Sequence, residues 1–345
     1  MIADFQWHLG DPPAGWDETI RGLDGTVFHS SVWAEYQRSR YHADPVFFEA
    51  RDETGSVCGG AVGLFRKSRL RVVDSFVREV SLFAHPVVRG DGSVAVQFAA
   101  RFEEAARELR CSRVAINSFM SGVSSFVPAE HGYTEHDRVE FRLDLRQDQD
   151  ALWRGIRKDQ RARINRLKRE GVTYDPEGGR DDLEDLRMVR ESAHARRVRR
   201  GEEYELSADE SFYGALLEHL VQRDAGQLFV ARRAGEVLGA LFFAKFNGSA
   251  YSVFSGSTDL GYKLGAQSGL FWAAVETFKS AGFHELNRGG VPASAEKDDD
   301  PLHGIYRFKI RLGTTPVTCR SGEKVLNRLQ DSLAQLWVRL RQAYG

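Results

Sequence analysis

Apolar residues fall along this chain in short runs, and two stretches half a chain apart share one pattern. From Phe47 to Gly63 the sequence reads FFEARDETGSVCGGAVG, and from Leu228 to Phe243 it reads LFVARRAGEVLGALFF. Each opens on an apolar run ending in Ala-Arg (Ala50-Arg51, Ala231-Arg232). Each then turns through polar residues around Gly55 or Gly235 and resumes an apolar run at Gly59 or Gly239. Two β-rich runs separated by a few turn residues predict a hairpin. After the first, VAVQFAARFEEAARELR (Val94 to Arg110) has apolar residues at helical spacing, and Arg113 to Ile116 reads as a short strand. After the second, SGLFWAAVETFKSAGF (Ser268 to Phe283) is again helical, with Gly282 as its C-cap, and Glu285 to Asn287 reads as a strand. One order of elements, repeated at roughly half the chain length, predicts a duplicated α/β domain. A solenoid would repeat every 20–50 residues or so.

Between the repeats, Val139 to Leu145 alternates like a strand. Asp148 to Asp150 supply N-cap candidates for a long helix from Ala151 to Glu170, stopped by Gly171. A second helix is expected from Asp182 to Arg196, after the Pro176 to Gly179 turn. The domain boundary is therefore expected near residue 150, giving domains 1–150 and 151–345. A last helix, Glu323 to Tyr344, carries Leu326, Leu329, Leu333, Leu336 and Leu340 on one face and is expected to pack back onto the protein.

Composition narrows the class. The chain has 345 residues, enough for two domains with ordinary cores. A hydrophobic share of 42% and a charged share of 28% fit a globular protein and exclude a disordered one. No apolar run approaches the roughly 20 residues of a bilayer span. Met1 to Gly10 carries Asp4, Trp7 and His8 where a signal peptide has a basic start and an apolar stretch. The expected compartment is the cytoplasm. Cys58, Cys111 and Cys319 are too scattered for a disulfide framework or a metal set. His131 and His136 lack a carboxylate at zinc spacing and read as surface residues, so no metal is expected. No Walker loop, Rossmann fingerprint or Gly-x-Ser-x-Gly elbow occurs. The net charge of −1 conceals local separation, with basic residues dense from Arg154 to Arg169 and from Arg196 to Arg200.

A hairpin of long strands, a glycine-bearing loop, a helix and a further strand is the architecture of the GNAT acyltransferase fold. Three stretches narrow it further. FHSSVWAEY (Phe28 to Tyr36) resembles the opening signature of the Fem family of aminoacyl-tRNA-dependent transferases. LWRGIRKDQRARINRLKREGV (Leu152 to Val172) resembles that family's basic interdomain helix, and IYRFKIRLG (Ile305 to Gly313) is similar to its C-terminal Phe-Lys motif. The resemblance covers nearly the whole chain in matching order. It implies an α/β protein of two tandem GNAT-like domains of the acyl-CoA N-acyltransferase type, with the acceptor on the side of domain 1 and no helical arm. It also implies a reaction, in which an aminoacyl group passes from charged tRNA to the primary amine of a peptide, a natural product or a cell-wall precursor. The ester is already activated, so the enzyme need only orient the amine and stabilise the oxyanion. Aminoacyl-tRNA is then a co-substrate, and no cofactor is expected. The expected partners are aminoacyl-tRNA and a peptide amine; the sequence leaves the oligomeric state open.

The resemblance assigns the residues. Lys309, with Phe308 beside it, is the expected catalytic pair, because a cation where the ester meets the RNA terminus can stabilise an oxyanion. Read by alternation alone, Lys309 is a surface residue on a strand, flanked by Arg307 and Arg311. Substrate contacts are expected from Trp33, Gln37, Arg197, Arg199, Ser255, Ser257 and Arg307. Arg157, Lys158, Arg161, Arg166 and Lys168 are expected to meet tRNA phosphates; a solvated amphipathic helix explains the same pattern. Gly289-Gly290 resembles the family's glycine-rich close of the preceding strand. Three departures stand out. Gln37 occupies the place of a Lys that helps many cell-wall members hold a nucleotide-linked sugar, and Asn117-Ser118 replaces an Asp-Pro. The loop from Gly261 to Gly269 sits where a CoA-dependent enzyme cradles pyrophosphate, but its glycines are widely spaced. An acyl-CoA-dependent N-acyltransferase is the second reading. A non-catalytic RNA-binding protein is the third, and it leaves Lys309 without a purpose.

Overall fold

A computed structural model of the chain describes residues 1–68, 73, 77–90, 92–121, 126–176, 180–201 and 210–344. They form two compact units, Met1–Arg138 with Thr318–Gly345, and Val139–Val317. The boundary therefore lies earlier than residue 150, and the end of the chain belongs to the first unit instead of the second.

In the first unit the strand order is β1 (Asp4–Leu9), β2 (Asp44–Arg51), β3 (Val57–Lys67), β4 (Arg78–Leu82), β6 (Arg113–Ile116) and β13 (Thr315–Val325), with β5 (Val87–Val88) paired to β3. β2 and β3 form the first expected hairpin, with Ala50 opposite Gly59 and Gly55 at a φ of 80° in the turn. β4 and β6 run parallel, and α3 (Gly92–Glu108) connects them. Its apolar face places Phe98 and Phe102, both fully buried, against Phe48. Removing such a ring from a packed core costs about 3–5 kcal/mol.

The chain end joins this unit because β13 pairs antiparallel with β6, from Gly322 opposite Ile116 to Val325 opposite Arg113. Arg113 then binds Glu323 at 2.9 Å and Asp331 at 3.0 Å. Residues 323–325, expected to open the last helix, are thus the end of a strand. The helix, α11, is Arg328–Tyr344. Of the expected leucine face, Leu326 packs against the first unit's core, Leu329, Leu333 and Leu336 are exposed, and the Leu340 side chain lies outside the described residues. The unit also contains α1 (Trp16–Gly22) and α2 (Ser31–Tyr41).

In the second unit the order is β7 (Thr134–Asp144, from Val139), β12 (Glu285–Pro292), β11 (Ser249–Ser257), β10 (Glu236–Phe246), β9 (Gly226–Arg233) and β8 (Thr173–Asp175). β9 and β10 are the second hairpin, with Ala231 opposite Gly239. Ala234 and Gly235 both take positive φ, 50° and 83°, as a tight two-residue hairpin turn requires. α8 (Asp259–Leu264) and α9 (Ala266–Ser280) follow β11, and Gly282 closes α9 at a φ of 79°. Phe271 and Phe278 of α9 pack with Phe229 and Phe243 into the core of the unit.

Two expected elements differ here. The single helix over 151–170 is two, α4 (Gln149–Gly155) and α5 (Lys158–Arg169), with Ile156 extended between them. The Arg157 amide donates to the Arg311 carbonyl at 2.9 Å in place of a helical partner. Gly155 and Gly313 let the two backbones touch there. Ile305 to Gly313 is not a strand either. It is mostly α10 (His303–Arg311), on which Tyr306 and Lys309, three residues apart, share the buried face. The remaining helices are α6 (Arg180–Val198) and α7 (Glu210–Ala215), the latter running into a wider turn at Leu216–Val221.

Candidate active site

The second unit opens where β11 and β12 part. They pair in parallel only from Ser249 opposite Glu285 to Tyr251 opposite Asn287, although β11 continues to Ser257 and β12 to Pro292. Just past the last rung β11 bulges, because its register on β10 passes from Phe242–Phe254 to Phe243–Ser252 and leaves Val253 unpaired. A bulge bends its strand and re-aims the neighbouring groups, and bulges collect beside active sites. Past Tyr251 and Asn287 the two strands are no longer paired.

Charged side chains gather around this parting. Lys309 is 9% exposed; its Nζ donates to the Gly290 carbonyl at 3.3 Å and lies 5.2 Å from the centre of the Phe141 ring. Gly289 has a φ of 72°, and a Cβ there would stand 2.9 Å from the Ser252 carbonyl oxygen and 3.8 Å from Lys309 Nζ. Glycine is therefore required on both counts. Glu140, fully buried on β7, accepts from the Tyr251 hydroxyl at 3.2 Å and from Asn287 Nδ2 at 2.8 Å. Asn287 Oδ1 in turn accepts from the Gly289 amide at 2.9 Å. The carboxylate thus ties down both sides of the last rung. Arg288, next to Asn287, is also buried, and burial lowers its pKa to about 10, so it stays charged at neutral pH. The sequence reading named Lys309 and the glycine pair but missed Glu140, Tyr251, Ser252, Gln267 and Arg288. An acid between Val139 and Phe141 in an apolar strand was the one available signal.

The other expected residues lie as follows. Phe308 is turned from Lys309 into the core cluster of the second unit. Arg307 is exposed, as is Ser255. Ser257 is buried, and its Oγ accepts from Gln267 Nε2 at 3.3 Å. Arg199 pairs with Asp259 at 3.1 Å, as does Arg196 at 2.9 Å, while Arg197 is half-buried. Trp33 and Gln37 are buried on α2 of the first unit. The Trp33 ring meets Phe28 and Tyr36 at 4.9 and 5.3 Å between centres, and its indole N–H finds no acceptor among the described residues.

On α5, Ile164 and Leu167 are buried, and Arg157, Lys158, Arg166 and Lys168 are exposed with Arg161 half-buried. Arg157 pairs with Asp159 at 3.2 Å and Arg166 with Glu170 at 3.5 Å. A groove of about 640 Å³ runs beside this helix, lined by Trp153, Trp272, Tyr174 and Lys168 but also by Asp148 and Glu276. Its mixed charge makes it a poor phosphate track by itself.

The 261–269 loop is largely helical, and several of its amides are bonded locally. Gly261 N–H donates to Thr258 Oγ1 at 3.1 Å, Tyr262 N–H to the Thr258 carbonyl at 2.8 Å and Gly265 N–H to the Gly261 carbonyl at 2.9 Å. The Arg163 side chain covers Gly265, and the Tyr174 hydroxyl covers Gly269. Among the described residues no group of His, Cys, Asp or Glu is placed to hold a metal ion, and no helix is long and apolar enough to cross a membrane.

Residues 154–309 match the family described as acetyltransferase (GNAT) domain. No curated protein matches the chain in sequence. In fold the chain is similar to FemX, with a TM-score of 0.73 and 13% identity, over 94% of this chain and 99% of that one. It is also similar to L-PGS from Bacillus licheniformis, with a TM-score of 0.54 and 16% identity, over 96% of this chain and 97% of that one. The chain thus has a fold similar to that of FemX, and residues 154–309, within its second unit, match a GNAT acetyltransferase domain.

Proposed function

We propose that the chain transfers an aminoacyl group from the 3′ end of charged tRNA to the primary amine of a peptide, in the opening between β11 and β12. The observation that carries this reading is the buried ammonium of Lys309 beside Gly289 and Gly290, where the strands part. The amine nitrogen attacks the ester carbonyl, and a tetrahedral carbon forms whose oxygen gains a negative charge. Lys309 offsets that charge. The bond to the ribose oxygen then breaks, the amide forms, and the proton lost by the amine ends on the released hydroxyl. Glu140, through Tyr251 and Asn287, holds the strands that frame the reacting atoms.

Two observations favour a tRNA donor over CoA. In the 261–269 stretch, the amides of Gly261, Tyr262, Gly265 and Ser268 are already bonded locally, which leaves fewer of them to hold a pyrophosphate. On α5, Lys158, Arg161 and Lys168 have no salt-bridge partner among the described residues and are available to RNA phosphates. The acceptor class rests on the Fem resemblance. The donor is tested by thermal shift with CoA and by treating the reaction with RNase. No shift with CoA and loss of product after RNase are expected; a CoA shift with RNase-resistant product reverses the donor.

A further inference from the structure

Arg288 plays no part in the transfer step described above, and its surroundings are unusual within this protein. It is 5% exposed. Its Nη1 donates to Ser252 Oγ at 2.7 Å and its Nη2 to Gln267 Oε1 at 2.9 Å. Its Nε has no acceptor, and no carboxylate pairs with it, among the described residues. Elsewhere the second unit supplies acids to such groups: Arg142 has Glu285, Arg232 has Asp185 and Arg196 has Asp259. Arg190 is buried without a carboxylate too, but the rings of Phe212 and Phe254 enclose it at 4.9 and 4.8 Å. Arg288 has only the more distant ring of Phe271, at 6.0 Å.

Gln267 makes the arrangement directional. Its Nε2 donates to the carbonyls of Ala240 and Gly256, at 3.1 and 2.7 Å, so its Oε1 is left to face Arg288. The guanidinium is held by neutral groups beside the end of the β11–β12 pairing. Two N–H donors are used, one on each Nη, and Nε with the remaining Nη hydrogens are unused. A buried charge is costly unless something pairs with it.

We propose that Arg288 recognises a substrate carboxylate, which enters between the parted strands and pairs side-on with Nε and a free Nη hydrogen. A planar fork in fixed orientation suits a carboxylate and rejects its amide. The carboxylate has two possible sources, an acidic side chain on the transferred aminoacyl group or a carboxylate on the amine acceptor. Arg288 is thus a specificity residue of the site, and the identity of the substrate rests on the transfer reaction proposed above.

Binding is measured first, because it needs no transfer. Wild type, Arg288→Met, Arg288→Gln and Lys309→Met are compared by calorimetry and thermal shift with glutarate and, as its neutral counterpart, glutaramide. Glutarate is expected to bind and stabilise wild type and Lys309→Met but neither Arg288 variant, and glutaramide none of them. Without ligand, Arg288→Met is expected to melt at the wild-type temperature or above it, since it removes an unpaired buried charge. Equal glutarate binding by Arg288→Met, no binding by wild type, or gross unfolding of both Arg288 variants would overturn the proposal. Unfolding would make Arg288 a strut. Transfer then separates the sources. Donors charged with aspartate or glutamate are set against asparagine and glutamine, and acceptors with a free C-terminus against amidated ones. In the arm that carries the carboxylate, Arg288→Met is expected to lose on the order of a hundredfold, with the neutral analogues little changed. An equal loss for every substrate contradicts the assignment. If no tRNA donor reacts at all, the transfer reading fails while the glutarate result still decides the role of Arg288.

Discussion

The two units carry the same hairpin, third strand, helix and parallel strand, and they finish that motif differently. In the first, the ladder of β4 and β6 runs to Leu82 opposite Ile116 and is then sealed. The Asn117 amide donates to the Leu82 carbonyl at 3.1 Å, and its Nδ2 donates to the same oxygen at 2.7 Å and to Ser81 Oγ at 3.1 Å. The buried titratable groups nearby are neutral histidines. His29 Nε2 bonds to the His85 carbonyl at 2.8 Å and His85 Nε2 to the Arg320 carbonyl at 2.6 Å, and burial lowers both pKa values to about 4. In the second unit, the ladder stops at Tyr251 and Asn287 and the next residues are Arg288 and two glycines. Buried Arg288 remains charged there. A repeated scaffold can therefore seal the motif in one copy and leave it parted in the other.

The largest expected effect lies at Lys309. Lys309→Met keeps much of the stem, so the fold should survive, but turnover should fall by about a hundredfold or more. The oxyanion exists only in the transition state, so acceptor affinity should hardly move. Activity within a few-fold of wild type would break the contrast between the units.

Next comes packing around α8. A Cβ on Gly261 would overlap the Leu238 carbonyl, whereas nothing lies within 4 Å of one on Gly22 of α1. Gly261→Ala is expected to cost about 1–3 kcal/mol in denaturant unfolding, and Gly22→Ala to be silent. Equal stability of the two variants would mean that α8 is free to shift.

The third expectation concerns pH and the first unit. His29 and His85 have folded pKa values of about 4, below the ordinary 6.5. Below pH 6.5 the unfolded chain takes up protons that the folded unit refuses. Their contribution is therefore complete above pH 6.5 and lost as pH falls towards 4. Each should cost up to about 2 kcal/mol between pH 6.5 and 5. Replacing His85 with Gln should flatten that slope, and an unchanged slope would assign the acid sensitivity elsewhere.

The smallest effect is expected on α5. Arg161→Glu with Lys168→Glu should weaken tRNA binding roughly tenfold at moderate salt and make it less salt-dependent. Filter binding over a salt series checks this, and an unchanged slope would return the helix to a solvated face.

Much of the fold was legible because local signals decided it. Gly55 and Gly235 marked the hairpin turns, and apolar spacing marked α3 and α9. Elements set by distant contacts were not. The break at Ile156 depends on a hydrogen bond from Arg157 to Arg311, far along the chain. The Ile305 to Gly313 stretch alternates basic and other residues, so period two competed with a helical face whose members are Tyr306 and Lys309. The return of the chain end to the first unit follows from strand pairing, which composition does not record. At the site, Lys309 and the glycines stood out by residue type. Arg288 did not, because it is one of 48 Lys and Arg residues, and only burial with neither an acid nor a close pair of rings sets it apart. Glu140 was concealed in the same way, its partners being brought to it by the sheet.

The central claim is that the opening in the second unit makes an amide from an aminoacyl-tRNA ester and a primary amine. Its most direct measurement incubates wild type and Lys309→Met with total tRNA charged by all amino acids and a panel of peptide amines, and reads products by mass. The account expects a wild-type product heavier than an acceptor by one aminoacyl residue, absent after RNase and strongly reduced in Lys309→Met. No product from any charged tRNA, or one formed equally well by the variant, would contradict it.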